Sequence, residues 1–435
     1  MTRVDVERVA ASVADWLGSE GPQWPHVVEG RLIKAEGLDV GDASRVVART
    51  RGIIAEKVMP PITKVELFLT EDCTNRCDYC FVKEKHEHNV MSVDTALQAV
   101  DWLFSVCGDD GEMRILFFGG EPLLNFEAIK AVALKAEQLA KEHGKNLSLD
   151  MTTNGIPATQ EKLEFMAEHG IKFLLSLDGD RETHDRYRHL KNGKGTYDLV
   201  SPRLAEFKRY QPWMGSRVTV QPDTLGKLAA NVRHLHSIGV NQFIIGAADG
   251  AEWPQELVDE YTRQWEQVAD FYIETRRRGG HIRITEFEEP LDGRPNLTPL
   301  WGCQAGRDSV CVSYNGDIHP CSKMLSVCRS QPVSYLGNVW DGITDVDERA
   351  NVMSIWHPRR PKCESCDLAW MCAGGCPALN WEASGSVHVP SEFDCMFKHH
   401  EHNLHKRIDP KLKEAGLFQP PKHGKKPKRY APPST

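Results

Sequence analysis

The sequence predicts an α/β fold in which six strand–helix units form an open or closed barrel. Three observations support this prediction. Short apolar runs of strand length alternate with amphipathic stretches between residues 65 and 278, which is the pattern of βα units with parallel strands and right-handed crossovers. The N-terminal region has the apolar spacing of helices, and nine of the 13 cysteines follow residue 300. We therefore expect a helical extension before the barrel and a cysteine-rich domain after it.

Each predicted strand is a short run dominated by apolar and β-branched residues. The six runs are VELFLT at 65–70, RILFF at 114–118, LSLDMTT at 147–153, KFLLSLD at 172–178, RVTVQ at 217–221 and QFIIGAA at 242–248. The predicted helices between and after them are 94–106, 126–143, 160–169, 225–238 and 254–278. In such folds the chemistry lies at the carboxyl ends of the strands, so the residues after each strand are the candidate site.

Composition shifts along the chain predict five segments. These are a helical N-terminal extension (1–61), the barrel (62–279), a connector (280–300), a cysteine-rich domain (301–405) and a basic, proline-rich tail (406–435). Pro60 and Pro61 end the second amphipathic run, Asp42–Val58. The tail has the composition of a disordered segment, and we expect it to be solubilising.

Charge and hydropathy exclude two classes of function. The net charge of the 435 residues is −8, so we expect no nucleic-acid partner. No run of 18 apolar residues exists, so we expect no membrane span. The N-terminus is a poor secretion signal, and we therefore expect a cytoplasmic protein. Cytoplasmic thiols stay reduced, which makes metal ligation the leading interpretation of the 13 cysteines.

Three cysteines follow the first predicted strand, with the spacing C-x3-C-x2-C at Cys73, Cys77 and Cys80. A structural zinc site closes with four ligands, whereas three thiolates leave one iron of a four-iron cluster open to another ligand. A zinc ion completed by His86 or His88, or three unliganded cysteines, are the alternatives. The position at the end of a strand favours a reactive iron–sulfur cluster.

The C-terminal cysteines are too numerous for one tetrahedral ion. The paired spacings Cys363-x2-Cys366 and Cys372-x3-Cys376 also occur in zinc knuckles, and zinc in one site is the alternative that we retain. A cysteine-only environment suits iron–sulfur clusters. The turn signal at Gly316 predicts a hairpin that presents Cys321 just past it.

The first cysteine loop resembles that of the radical S-adenosylmethionine (SAM) superfamily, including the aromatic Tyr79 before the third cysteine. The resemblance implies a partial (β/α)6 TIM-like barrel and a catalytic [4Fe–4S] cluster on Cys73, Cys77 and Cys80. In that family the open iron binds SAM, and reduction cleaves SAM to a 5′-deoxyadenosyl radical that abstracts a hydrogen atom from the substrate.

The resemblance also implies a SAM site at the ends of strands two to four. Gly119-Gly120-Glu121-Pro122 matches the segment that binds the SAM amino group in the family. Asn154, Ser176 and Asp178 match positions that meet the ribose or methionine part of SAM. The alternative for each polar residue is an ordinary strand-end cap or Asx turn.

The C-terminal region resembles the SPASM extension of radical SAM enzymes, which carries two auxiliary clusters. The matching phrases are Cys303-Gln-Ala-Gly, Asn315-Gly-Asp-Ile-His-Pro-Cys321 and Cys372-Ala-Gly-Gly-Cys376. The resemblance implies ligands for auxiliary cluster I at Cys303, Cys321 and Cys376, and for auxiliary cluster II at Cys363, Cys366, Cys372 and Cys395. Cys311 is either a fourth ligand of cluster I or a small buried hydrophobe. Cys107 and Cys328 are predicted to be structural thiols.

SPASM enzymes mostly modify peptides, and residues 173–198 resemble peptide-maturing members and anaerobic sulfatase-maturating enzymes. We expect maturation of a ribosomally synthesised peptide by a thioether, a carbon–carbon or carbon–oxygen cross-link, or an epimerisation. Sulfatase maturation is disfavoured, because those maturases carry at this position an aspartate that serves as the base, and here the residue is Ser322. Two further functions stay open, namely a small-molecule dehydrogenase or isomerase and a noncatalytic iron–sulfur or zinc scaffold.

The resemblance also indicates which partner proteins to expect. Peptide maturases often carry an N-terminal winged-helix domain that grips a leader peptide by strand addition. Residues 1–61 show helical patterns instead, which favours a separate leader-recognition protein or a substrate without a leader. Reduction of the cluster calls for an electron donor such as flavodoxin or ferredoxin.

Overall fold

The structure is a computed structural model of the chain. It describes residues 5–20, 28, 31–34, 37–58, 60–82, 85–109, 111–288, 303–329, 331–353, 365–368, 372 and 374–418.

The described residues form eleven strands: β1 Lys64–Phe68, β2 Glu112–Phe118, β3 Asn146–Thr153, β4 Lys172–Ser176, β5 Gly215–Val220, β6 Gln242–Ala247, β7 Arg283–Ile284, β8 Ser309–Val312, β9 Asp317–His319, β10 Gly337–Asn338 and β11 Gly342–Ile343. All six strands predicted for the barrel are confirmed, with ends that differ from the prediction by two residues or fewer.

The described α-helices are α1 Val6–Glu20, α2 Val40–Val58, α3 Val93–Val106, α4 Phe126–His143, α5 Gln160–Glu168, α6 Arg181–Tyr187, α7 Tyr197–Val200, α8 Leu204–Tyr210, α9 Leu228–Ser237, α10 Gln255–Arg277, α11 Thr285–Glu288, α12 Ser322–Val327, α13 Val346–Met353, α14 Pro377–Ser384 and α15 Glu392–Glu414. Within the parts of the chain that are described, no helix is both long enough and apolar enough to cross a bilayer.

Local sequence sets the helix ends. Ser92 caps α3 by accepting a hydrogen bond from the backbone of Thr95 at 3.0 Å, and Asp180 caps α6 in the same way through Thr183. Gly144 ends α4 in the left-handed conformation, at φ 64°. Such caps satisfy backbone groups that the helix itself leaves without partners.

The chain divides into two compact units. Unit 1 comprises Met1–Phe173 and Pro295–Met396, and unit 2 comprises Leu174–Arg294 and Phe397–Thr435.

In unit 1 the strands follow the order β11-β10-β9-β8-β1-β2-β3. The four strands β8, β1, β2 and β3 are parallel, with Leu67 opposite Phe117 on one side and Val312 on the other. The predicted hairpin is confirmed, since β8 and β9 are antiparallel and Gly316 lies in the turn at φ 86°. The cysteine-rich segment therefore extends the same sheet beside β1, a placement that the sequence did not predict.

The N-terminal helices also belong to unit 1. α1 and α2 pack together through small and β-branched residues, with Ala10, Ala43 and Val46 fully buried. The predicted amphipathic helices are thus confirmed where they are described, because the spacing of their apolar residues places one stripe on a shared face.

In unit 2 the strands β4, β5, β6 and β7 are parallel. β7 and α11 lie within residues 280–300, which the sequence predicted to be a connector. The strand was missed because only two residues pair, with Arg283 opposite Gln242 and Ile284 opposite Phe243, and so short a run carries no periodicity.

The predicted disordered tail, 406–435, differs from the structure over its first part. Helix α15 continues to Glu414, with Ile408 and Leu412 each 1% exposed. Arg407 pairs with Glu266, and Lys411 pairs with Asp270. The helix forms because its apolar stripe finds a partner in α10, which composition alone does not reveal. Residues 419–435 lie outside the described part of the chain.

Candidate metal centre

The first cysteine loop begins directly after β1. Cys73 is 8% exposed, and Cys77 and Cys80 are half-buried and form no disulfide. A tight turn, in which the backbone of Cys80 donates to the carbonyl of Cys77 at 3.1 Å, folds the second and third cysteines together. Tyr79 lies within this turn and is half-buried.

Gly119 and Gly120, at the end of β2, dock this loop. The backbone of Gly120 donates to the carbonyl of Thr70 at 2.8 Å, and that of Glu121 donates to Asp72 at 2.9 Å. A Cβ at Gly119 would lie 2.4 Å from the Thr70 oxygen, and one at Gly120 would lie 2.2 Å from the Asp72 oxygen. Only glycine permits this approach, so the pair holds the cysteine loop against β2.

Glu121 joins the ends of β2 and β3. It is 1% exposed, and its carboxylate accepts hydrogen bonds from the Thr153 hydroxyl at 2.6 Å, from the backbone of Asn154 at 2.8 Å and from that of Leu123 at 3.1 Å. Burial nevertheless raises the pKa of Glu121 to about 7. Through these three hydrogen bonds Glu121 holds the ends of β2 and β3 together.

Asn154 reaches the cysteine loop from β3. Its side-chain nitrogen lies 3.7 Å from Cys73 Sγ and donates to Thr74 Oγ1 at 2.9 Å. Burial, followed by the neighbouring Glu121, raises the pKa of Cys73 to about 12. Because a buried thiolate is unfavourable alone, this site stabilises the anion only when a cation binds it, as a metal-ligating cysteine requires.

The loop ends on an apolar support. Phe81 stacks on Phe118 of β2 with ring centroids 6.0 Å apart, and Val82 is 3% exposed. The Lys85 ammonium lies 3.3 Å from Cys80 Sγ. These contacts limit the exposure of the third thiol to solvent and place a cation beside it.

Ser176 and Asp178 follow β4 in unit 2. Asp178 is 3% exposed and pairs with Arg188 at 2.7 Å, and it also accepts from the backbone of Thr219 at 2.9 Å. Two nitrogens of Arg188 and the backbone of Thr219 thus donate to its carboxylate. This is a structural ion pair that connects the chain after β4 with the end of α6 and with β5. Ser176 ends β4 and is half-buried.

Three of the predicted auxiliary ligands lie close together. Burial raises the pKa of Cys303, and the nearby Cys376 thiol raises it further. Burial, then Glu66, then the Cys303 and Cys376 thiols raise the pKa of Cys321. Cys321 and Cys376 pack against one apolar cluster, which contains the fully buried Cys328. The structure therefore brings together the cysteines predicted to hold auxiliary cluster I.

Cys311 lies on β8, opposite Glu66 of β1, and is fully buried. It packs with Phe68, Val82 and Leu325. Burial, then Glu66, then Cys321 raise its pKa well above the ordinary value. Its neighbours are mostly apolar, in keeping with a small buried hydrophobe, although Cys321 is near.

The remaining predicted ligands, Cys366, Cys372 and Cys395, are half-buried in unit 1 and form no disulfide. Cys363 lies outside the described residues. Cys107, predicted to be structural, is 3% exposed at the end of α3, where its thiol donates to the carbonyl of Phe104 at 3.4 Å.

Sequence reasoning missed three charged residues beside these cysteines. Glu66 accepts from the backbone of Ser322 at 2.8 Å. Glu71 is 1% exposed and pairs with Arg329. The signal for Glu66 is a carboxylate inside the apolar strand VELFLT, where it is half-buried and needs hydrogen-bond donors. No sequence signal joins Glu71 to a residue so distant in the chain.

Comparison with known proteins identifies the domain that carries the first cysteine loop. The family model described as the radical SAM superfamily matches residues 67–222, a range that contains the loop, both glycines and Asn154. These residues form a radical SAM domain. The cofactors predicted from the sequence, SAM and iron–sulfur clusters, are those of such a domain, and the buried Cys73 with the half-buried Cys77 and Cys80 suits a cluster.

Similarity extends beyond the matched range. The chain is 24% identical to a cysteine-type anaerobic sulfatase-maturating enzyme of Clostridium perfringens, over 73% of this chain and 89% of that one. Its fold resembles native anSMEcpe with bound AdoMet, with a TM-score of 0.65, 18% identity and coverage of 82% of this chain and 100% of that one. It also resembles Streptococcus suis SuiB bound to precursor peptide SuiA, with a TM-score of 0.57, 15% identity and coverage of 91% and 93%. These likenesses support the predicted partial barrel.

Proposed function

We propose that this chain cleaves SAM reductively at a [4Fe–4S] cluster held by Cys73, Cys77 and Cys80 and abstracts hydrogen from a peptide substrate. The observation that carries the proposal is the three-thiol loop, with Cys73 buried and the loop docked on Gly119 and Gly120 within the superfamily match. When bound, the cluster and SAM supply a 5′-deoxyadenosyl radical. The protein positions these groups and shields them from water.

The chain's own residues divide this work. Gly119 and Gly120 hold the cysteine loop and leave their backbone for the SAM amino group. Glu121 fixes the ends of β2 and β3 through its three donors. We propose that Asn154, beside Cys73, and Ser176 contact SAM. Asp178 completes the proposed set by ordering the backbone after β4 through its pair with Arg188.

The C-terminal cysteines are proposed to hold two auxiliary clusters. Cys303, Cys321 and Cys376, which lie close together, support the first. The proposed ligands of the second are Cys363, Cys366, Cys372 and Cys395. Cys311 is proposed to pack rather than ligate, because its surroundings are largely apolar.

Sulfatase maturation is the second candidate. The prediction that Ser322 disfavours it is not supported, because a sulfatase-maturating enzyme is among the relatives along most of its length. The structure also supplies a carboxylate at this position, since Glu66 of β1 accepts from the backbone of Ser322. A serine after Cys321 therefore does not deprive the site of an acidic group.

The first experiment asks whether SAM is cleaved. Anaerobically reconstituted protein is mixed with dithionite and SAM, and 5′-deoxyadenosine is measured by chromatography. We expect 5′-deoxyadenosine from the wild type and none from Cys77→Ala. Cys107→Ala serves as the matched control, because its thiol lies buried at the end of α3 away from the loop. Absence of product from fully loaded wild type would reject the enzyme and leave a noncatalytic scaffold.

The second experiment separates the substrates. SAM cleavage is measured with a cysteine-containing sulfatase-type peptide, its serine counterpart, and short peptides encoded beside the gene. Conversion of the sulfatase-type peptide to an aldehyde supports the second candidate; the serine peptide loses two hydrogens, whereas the cysteine peptide loses two hydrogens and then releases hydrogen sulfide on hydrolysis. Modification of an encoded peptide supports the first candidate. Stimulation by neither, in a genetic neighbourhood without a peptide, favours a small-molecule dehydrogenase or isomerase. A separate leader-recognition protein and flavodoxin or ferredoxin are the proposed partners to add.

A further inference from the structure

A short helix separates the first proposed auxiliary ligand from a charged residue. Cys321 caps the N-terminus of α12, where its Sγ accepts from the backbone of Met324 at 3.4 Å. The helix ends at Val327, and Arg329 follows two residues later. The segment from Cys321 to Arg329 therefore spans little more than one short helix.

Arg329 contacts the first cysteine loop. Its guanidinium donates to Glu71 Oε1, although these two residues are 258 positions apart in the chain. Glu71 is 1% exposed, and the Arg329 side chain is 31% exposed. The other Glu71 oxygen accepts from the Asn89 side chain at 2.7 Å. Because a buried carboxylate is costly without a cation or donors, this pair fixes the backbone two residues before Cys73.

The same segment also supports the other end of the loop. Leu325 of α12 packs with Phe68 and Val82, and Cys80 packs against this cluster. Both ends of the loop, at Glu71 and at Cys80, thus contact the segment that follows Cys321. The loop is therefore held from two sides by one short element.

We propose that Arg329 is a positioning residue that, through its ion pair with Glu71, sets the reduction potential of the cluster on Cys73, Cys77 and Cys80. The inference rests on the proposed function and adds to it a link between the two cysteine-rich regions. In this proposal Arg329 acts through Glu71.

The sign of the effect follows from charge. Glu71 and Arg329 neutralise one another beside the loop. Reduction adds an electron to the cluster, so a carboxylate left without its cation disfavours reduction, and a guanidinium left without its anion favours it. Low dielectric around buried groups strengthens both effects.

The experiment is a redox titration of the reconstituted holoenzyme, with the reduced cluster followed by electron paramagnetic resonance. We expect Arg329→Met to make the cluster harder to reduce by about tenfold in equilibrium constant, or about 59 mV for one electron. Glu71→Gln should shift the potential in the opposite direction. The double variant should return close to wild type, and Arg329→Lys, which keeps the charge, should stay close to it.

A merely structural contact predicts a different pattern, in which both single variants lose cluster iron and neither gains reducibility. That pattern, or potentials unchanged in all variants, would overturn the inference. Arg114→Met is the matched control, since this arginine pairs with Asp150 on the sheet of unit 1 and is 52% exposed. If Arg329→Met binds no cluster, the reduction potentials of Glu71→Gln and Arg329→Lys test the inference instead. Wild type without a SAM-binding cluster would reject the proposed function instead.

Discussion

At the scale of single residues, two buried carboxylates differ in the number of hydrogen bonds that they accept. Burial raises the pKa of both Glu121 and Glu286 to about 7. Glu121 has three hydrogen-bond donors, whereas Glu286 accepts from one other described residue, through the backbone of Ile245 at 3.1 Å. Its Oε2 atom is buried and has no hydrogen-bond partner among the described residues. Because β7 pairs with β6 only through Arg283 and Ile284, the Glu286 side chain accepts the hydrogen bond from the Ile245 backbone that a longer β7 would have accepted.

We predict that Glu286 makes stability depend on pH. Its pKa in the folded chain lies near 7, above the value of 4.5 expected when unfolded, so the folded state binds more protons between these values. Its contribution to stability therefore falls as pH rises through this range. From pH 5.5 to pH 8 we expect wild type to lose about 2 kcal/mol relative to Glu286→Gln. Denaturant unfolding of both proteins at each pH measures this difference.

Glu274→Gln is the matched control for that measurement, because Glu274 lies on α10 and is 48% exposed. It should show the same pH dependence as wild type. A Glu286→Gln variant that also parallels wild type across this range would contradict the prediction.

We predict that Gly120→Ala prevents loading of the first cluster. The added Cβ would lie 2.2 Å from the Asp72 carbonyl, which forces the cysteine loop away from β2 and costs about 2–3 kcal/mol. Iron content and SAM cleavage measure the effect. Gly111→Ala, on the other side of β2, is the control, because a Cβ there meets open space. Normal cluster content in Gly120→Ala would show that the loop does not need this contact.

At the scale of elements, α15 shows how a polar segment becomes ordered. Its sequence is rich in charge, yet Leu404, Ile408 and Leu412 form a buried stripe. The pairs of Arg407 with Glu266 and Lys411 with Asp270 flank it along α10. The helix is stable because α10 covers its apolar face, since an isolated helix of this composition is marginal.

Truncation tests this account. Removal of 406–435 deletes Ile408 and Leu412, each 1% exposed, and we expect a loss of about 3–6 kcal/mol in stability. Removal of 419–435 leaves both side chains and should have little effect. Thermal unfolding of the two truncated proteins measures the difference. Equal stability would mean that α15 contributes nothing by packing.

The strand β8 supports a prediction about Cys311. Its side chain is fully buried among Phe68, Val82 and Leu325, so Cys311→Ala should leave iron content unchanged and cost about 1 kcal/mol of stability. Cys321→Ala should instead remove about four iron atoms, the content of one cluster. Iron analysis after reconstitution compares them. Loss of cluster iron in Cys311→Ala would make Cys311 a ligand.

At the scale of the whole molecule, the cysteines are proposed to divide among three clusters. Replacement of Cys73, Cys77 and Cys80 by alanine should lower the iron content from about 12 to about 8 atoms and abolish SAM cleavage. Cys107→Ala should change neither quantity. Iron content that falls to zero in the triple variant would mean that the auxiliary sites depend on the first loop.

The sequence predicted the elements well because each depends on local periodicity. The six barrel strands and the longer helices between them follow from runs of apolar residues, whereas the short helices α6, α7 and α8 between β4 and β5 were not predicted. The three-cysteine spacing follows from the need for thiols on one loop. Pairings over long distances were not predictable in this way. Glu71 with Arg329, and β1 with β8, join residues whose separation leaves no periodic signal. The short β7 was missed because a run of two residues carries no periodicity. The ordered start of the tail was missed because its charged composition outweighed the helical spacing of Leu404, Ile408 and Leu412.

The sequence by itself determined the radical SAM domain, the six barrel strands and the cysteines that are candidates for ligation, because spacing and periodicity are properties of short segments. Only the tertiary structure decided what surrounds those residues. It revealed that Gly119 and Gly120 serve the approach of the cysteine loop, that Glu121 clamps two strand ends, and that a carboxylate stands beside Ser322. Burial and charge pairing arise between segments distant in the chain, so they appear only once the chain is folded.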